Sequence, residues 1–215
     1  MFTLRKMKLI IPLMIVLFMA IACGPDVRSM DELEKKLIDN RLIYNFNDEP
    51  YSGQAVVKAS DQIKVKYELV NGLLDGLTYY YDAENKLNRM ETYKNGELNG
   101  LFEEYYPDGK IKVNANYLNG KKHGKFSAYY PSGLLKEELT YDVGLIKGDN
   151  FLYYKDGKVR HHFHFNANGE RHGVWEKFYP NGNPKEYLIF RNGQLVPPMK
   201  RYDRVGNLIN YNSVN

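Results

Sequence analysis

Between residues 110 and 165 the chain writes one alternation three times, as "KIKVNANY", "LLKEELTY" and "KVRHHFHF". In register, one set of positions is apolar: Ile111, Ala115, Tyr117; Leu135, Leu139, Tyr141; Val159, Phe163, Phe165. The other set is polar: Lys112, Asn114, Asn116; Lys136, Glu138, Thr140; Arg160, His162, His164. A period of two predicts a strand with one buried and one wetted face. Ahead of these strands stand "YYPDGK", "YYPSGL" and "YYKDGK". In "YPDG", "YPSG" and the later "YPNG", proline where φ near −65° is needed, then glycine where a left-handed residue is needed, predict a type I turn closing on a bulge. A second turn is written Asn-Gly at 71/72, 95/96, 119/120 and 192/193, a strong hairpin signal.

These turns recur with a fixed period. Gly53, Gly76, Gly100, Gly124, Gly148 and Gly173 are separated by 23, 24, 24, 24 and 25 residues, and from Gly76 onward each follows another glycine by four residues. Two turns in about 24 residues leave two strands, so every unit is a β-hairpin. A lone hairpin is marginal in water, and stacked units must therefore share a sheet. The predicted fold is an all-β repeat, an elongated single-layer antiparallel sheet of tandem hairpins over residues 51–197, with a partial repeat and tail over 198–215. Ahead of it, "SMDELEKKLIDN" pairs Ser29 with Glu32 in a capping-box pattern and sets Met30, Leu33, Leu37 and Ile38 on one helical face. That pattern predicts a short helix over about 30–40, followed by "RLIYNF" as a lead-in strand.

Composition agrees with this reading. Nineteen Tyr, ten Phe and eighteen Gly describe turn-rich β material. The first 22 residues belong to targeting: Arg5, Lys6 and Lys8 form a positive region ahead of the uncharged "LIIPLMIVLFMAIA". That run is shorter than the roughly 20 residues of a spanning helix, as in a signal peptide. Without those three cations the 30 basic residues become 27 against 26 acidic, a net charge of +1. Nothing in this balance favours a nucleic-acid partner.

Cys23 is the single cysteine, so no disulfide can form within the chain. The "MAIAC" that contains it resembles the lipobox of bacterial lipoproteins. The resemblance implies thioether lipidation at Cys23, a membrane anchor, and residues 23–50 as anchor, tether, helix and lead-in strand. By the same resemblance Gly24 implies outer-membrane sorting in a diderm envelope. Further on, Gly-x-x-x-Gly joined to "YY-P-D/S/N-G" at a 24-residue period resembles the MORN-repeat variant family over about residues 51–208. That family includes YwqK-like proteins classed as antitoxins, so the resemblance implies a protein partner and an antitoxin or immunity role as one reading.

Candidate chemistry is sparse. No second cysteine, H-E-x-x-H, phosphate loop or G-x-S-x-G elbow is present, which points away from an enzyme, a small-molecule substrate and a cofactor. His162 and His164 share a strand face, with His172 as a third imidazole across a turn, but other repeats hold Asn or Glu and Thr there. We therefore assign no metal site. Two rows are candidates for partner binding. Tyr81, Tyr105, Tyr129, Tyr153 and Phe178 share one strand position, and Lys112, Lys136, Arg160 and Lys185 share another on the polar face, about 10 Å apart per repeat. The aromatic row suits interface anchoring. The basic row suits an acidic partner, or anionic lipid or polymer.

Overall fold

The computed structural model describes residues 26–212, so the signal segment, the Cys23 lipidation expectation and the last three residues of the tail lie outside the described residues. Between those limits the chain forms one long open sheet and a small three-stranded one. The long sheet's first edge is the strand Val27–Ser29, paired parallel to Gly53–Ala59. From there the chain meanders antiparallel, strand after strand, to the last edge at Leu208–Asn212.

Each repeat follows the same register. The second glycine of Gly-x-x-x-Gly always faces the aromatic near the end of the returning strand: Gly76 with Tyr93, Gly100 with Tyr117, Gly124 with Tyr141, Gly148 with Phe165 and Gly173 with Phe190. The three-residue turn is closed by the Tyr106 N–H on the Lys110 carbonyl and the Gly109 N–H on the Tyr106 carbonyl, both 2.8 Å. Beside it lies the expected bulge, a register shift between Glu104 and Tyr105 that recurs in every repeat. The Asn-Gly turns have both residues left-handed, Asn95 at φ 50° and Gly96 at 84°, as a two-residue hairpin requires.

Two ladders stitch repeat to repeat. The turn-glycine N–H of Gly96, Gly120 and Gly144 donates to the carbonyl of Leu74, Leu98 and Lys122, at 2.7–2.8 Å. At the opposite side of the sheet the second tyrosine of each doublet reaches forward. Tyr106, Tyr130, Tyr154 and Tyr179 donate their hydroxyls to the carbonyls of Tyr129, Tyr153, Phe178 and Tyr202, at 2.7–2.9 Å. Lys86, Lys110 and Lys158 do the same to the next turn's Pro107, Pro131 and Pro180 carbonyls. The repeat length is thus fixed by hydrogen bonds that need the next copy at a set distance.

The N-terminal helix is corrected. Only Met30–Glu32 turn, as 3-10, with the Glu32 carboxylate accepting the Ser29 N–H at 3.1 Å. Glu34–Ile38 is a strand, paired with Arg41–Phe46 in a small sheet completed by Glu49–Pro50. The physical reason is local. Asp39 and Asn40 both adopt left-handed φ, 49° and 62°, so the chain reverses into its neighbouring strand instead of continuing a helix. Met30 and Leu33 are buried as the pattern required, whereas Leu37 and Ile38 are exposed. This small sheet caps the array. Met30, Leu33, Tyr44, Tyr51, Ala55 and Leu69 form its core, and the Tyr44 N–H reaches the Gly72 carbonyl at 2.8 Å. The expected boundary at 197/198 falls within the strand Gln194–Tyr202, and the last hairpin runs on to Asn212. Pro197 and Pro198 occupy the stretch between Val196 and Lys200 where pairing with Tyr187–Ile189 shifts register, a place that tolerates proline inside a sheet.

Candidate interaction surface

A single sheet has two faces, and the registers assign every side chain to one of them. One face carries Phe102, Ala115 and Tyr117, then Phe126, Leu139 and Tyr141, then Phe163, Phe165, Trp175, Leu188 and Phe190. Phe102 lies 5.7 Å from Tyr117, Phe126 6.1 Å from Tyr141, and Trp175 5.3, 5.3 and 5.1 Å from Phe163, Phe165 and Phe190, centroid to centroid. These edge and tilted contacts are the favoured aromatic geometries. Cations from the Gly-x-x-x-Gly segments cap two of the groups: Lys122 sits 4.3 Å over Phe126, and Arg171 5.3 Å over Trp175. The Trp175 indole N–H donates to the His164 carbonyl at 2.9 Å, which fixes the ring.

Two repeats depart from this aromatic pattern. Opposite Thr78 and Phe102, where other repeats hold Ala115 or Leu139, stands Glu91, buried. Its carboxylate accepts the Tyr80 and Tyr93 hydroxyls at 2.8 and 3.0 Å and lies 3.2 Å from the Arg89 guanidinium, itself 3.8 Å over the Tyr80 ring. Burial, reinforced by that carboxylate, pushes the Tyr80 hydroxyl up to about 12 and raises Tyr93 further. Asn150 takes the place of Phe126, with no exposed surface. Its side chain accepts the Thr140 N–H at 2.8 Å and donates to the Gly148 carbonyl at 2.7 Å, so nothing polar is orphaned there.

The structure splits the two candidate rows. Tyr81, Tyr105, Tyr129, Tyr153 and Phe178 lie on the second face, half-buried, among polar neighbours: the Tyr105 hydroxyl donates to Glu103, which also accepts Asn114 at 2.9 Å. The basic row is not on that face, which corrects the strict alternation. The bulge places an extra residue opposite Glu104 and Ala128, turning Lys112 and Lys136 toward the aromatic side. Lys112 Nζ is 3.4 Å from Glu104, and Lys136 Nζ is 3.4 Å from Glu137. Lys185 lies 5.5 Å over the Tyr179 ring. Arg160 makes no ion pair among the described residues, and its Nε is buried without a hydrogen-bond partner.

Beside the largest aromatic group a cavity of about 240 Å³ opens, lined by His161, His162, Phe163, Trp175, Glu176, Lys177, Glu186 and Leu188. Glu186 receives Lys177 at 2.6 Å and Arg201 at 3.2 Å, and their charge outweighs its burial, holding its carboxyl below the usual range. Burial, then the nearby Arg160, Lys177 and Lys185, lowers the pKa of His161. Three other histidines have partners of their own. On the second face Asp149 accepts from His162 at 3.1 Å and His164 at 3.0 Å, and His162 stacks 4.7 Å from Phe151. His172 pairs with Asn192 at 3.2 Å. Among the described residues no group of three His, Cys, Asp or Glu has metal-holding geometry.

Three features escaped the sequence: the forward-reaching second tyrosines, the Glu91 cluster and the cavity. The first was signalled by the doublet itself, since one tyrosine suffices for a strand position. Glu91 was signalled by a charge where the pattern calls for an apolar residue. The cavity rests on a three-strand juxtaposition that only the registers reveal.

Comparison with known proteins supports the repeat. The MORN repeat variant model matches residues 74–95, 98–119, 122–142 and 171–195. The hairpin between the third and fourth matches, Gly148–Phe165, keeps the register of the others. No curated protein matches the chain. Solved structures similar to it include choline binding protein F from Streptococcus pneumoniae in crystal form II, at 13% identity over 82% of this chain and 93% of that one, with a TM-score of 0.14. The same protein in the presence of a peptidoglycan analogue gives 13% identity, the same coverage and a TM-score of 0.13.

Proposed function

We propose that this is a non-enzymatic, lipid-anchored protein of the bacterial cell envelope, at the outer membrane in a diderm, whose aromatic face docks a protein partner. The observation that carries this reading is the cavity beside Trp175. A rigid aromatic anchor site with a charged rim, on an uncovered sheet face, is the anatomy of an interface core. The Cys23 lipobox supplies the address, and the thioether anchor keeps the sheet at a membrane. Where the partner is a toxin, the same face makes the chain an antitoxin or immunity protein of the YwqK-like kind, and growth rescue on toxin expression identifies that case.

The test is affinity capture from native membranes with residues 24–215, at low and high salt, using the parent sequence and Trp175→Ala. A stoichiometric protein that survives salt and is lost with Trp175→Ala is the expected result. Only salt-sensitive acidic polymer or lipid, or capture indifferent to Trp175, overturns the reading. The address is tested separately: Cys23→Ser is expected to release the chain from the membrane fraction.

A further inference from the structure

We propose that the Trp175 cavity takes one apolar side chain from an acidic, extended segment of the partner, with carboxylates of that segment seated on Arg160 and Lys185. This rests on the reading of the aromatic face as a protein-docking surface and specifies what docks there. Size argues first. A cavity of about 240 Å³ lies below the roughly 300–1,000 Å³ of small-molecule and cofactor sites and suits a single large side chain. Its floor is Phe163, Trp175 and Leu188, apolar and already fixed by the Trp175 indole hydrogen bond and the Arg171 cap. A site ordered in advance loses little entropy on filling.

Charge argues second. Lys177 lines the cavity, Arg160 and Lys185 lie close enough to the lining His161 to act on its charge, and Lys177 and Arg201 pair with Glu186. Glu176 also lines the cavity, and its carboxylate lies 3.4 Å from His162. Arg160 and Lys185 make no ion pair among the described residues, Lys185 resting over the Tyr179 ring, and the buried Arg160 Nε lacks an acceptor. A carboxylate matches the guanidinium fork of Arg160. Arg160 and Lys185 stand at equivalent bulges two strand spacings apart, about 10 Å, a span covered by about three residues of extended peptide. A segment with an apolar residue between two acidic ones meets all three features together.

Trp175 is the only tryptophan, so its fluorescence reports the site directly. Residues 24–215, which include every described residue, are titrated to millimolar concentrations with the capped peptide Asp-Glu-Phe-Glu-Asp. The controls are its Phe-to-Ser form, its Lys-for-acid form and phosphatidylglycerol vesicles. A saturable emission change with the first peptide is expected. It should weaken about tenfold or more in the Ser form and in Arg160→Ala/Lys185→Ala, with far-UV circular dichroism unchanged. No change with the first peptide, an equal change with the Ser form, or a change with vesicles alone overturns the proposal. Membrane capture separates the two levels. A partner that is retained on the parent and lost with Trp175→Ala, while the acidic peptide fails, leaves the docking reading standing and removes only this inference. Absence of any partner removes both.

Discussion

Tyr129 and Tyr130 are neighbours with different tasks, and the difference is one hydrogen bond. Tyr130 donates its hydroxyl to the Tyr153 carbonyl at 2.8 Å, one repeat ahead, whereas Tyr129 supplies the carbonyl that Tyr106 reaches at 2.7 Å. Tyr130→Phe is therefore expected to cost about 1 kcal/mol in denaturant unfolding, and Tyr129→Phe distinctly less. Equal losses would refute the division. His161 gives a pH signature. Its folded pKa is depressed, so below about 6.5 the unfolded chain binds a proton that the folded one resists. Stability tied to this group is full above that pH and lost as pH falls toward the folded value. His161→Gln is expected to flatten the decline in thermal midpoint between pH 7 and 5, and an unchanged slope contradicts the assignment. Single residues were the least legible part of the sequence. Val143 replaces the turn Asn yet still takes φ 45° while half exposed, held by a register that its neighbours dictate. The Lys112 side changes because a bulge adds one residue, and period-two counting cannot register an insertion that the partner strand defines.

Hairpins, by contrast, were readable almost turn by turn, because each turn's chemistry is written in the residues that form it. Asn95-Gly96 needs two left-handed residues and Pro107-Asp108-Gly109 needs one at its end, and sequence alone names both. The error at Glu34–Ile38 has the same origin in reverse. Apolar spacing there fits a helix locally, but Asp39-Asn40 turns the strand onto Arg41–Phe46, and pairing wins over spacing. The stitching ladders make a further prediction at this scale. Each repeat bonds the next over 22–24 residues, through Gly144 to Lys122 and Tyr130 to Tyr153. Deleting Gly124–Lys147 in phase should leave a folded chain shorter by two strand spacings, about 10 Å in scattering. Deleting half that segment should abolish cooperative unfolding, because both ladders then lose their partners. Tolerance of the half deletion would contradict the ladder account.

For the molecule as a whole, the small sheet over Met30, Tyr44 and Leu69 closes one end and leaves the repeats as an open sheet with two unlike faces. On the proposed Cys23 anchor only Gly24 and Pro25 precede Asp26, whose carbonyl is held by the Tyr51 hydroxyl and the Gln54 N–H, both at 2.8 Å. The capped end then sits within about 12 Å of the bilayer, and the cavity lies several repeats farther along the sheet. The array and its period were evident in the sequence, whereas the assignment of side chains to faces was not, since it depends on bulges, registers and the meeting of three strands at Trp175. On the proposed function the aromatic face, and not the tyrosine row of the second face, meets a protein. Site-specific photo-crosslinking in native membranes separates the two faces, with a photoreactive phenylalanine at Phe163 in one chain and at Tyr153 in another. A discrete protein adduct from Phe163 and none from Tyr153 is the predicted result. An adduct from Tyr153 alone, or from neither position, contradicts the account.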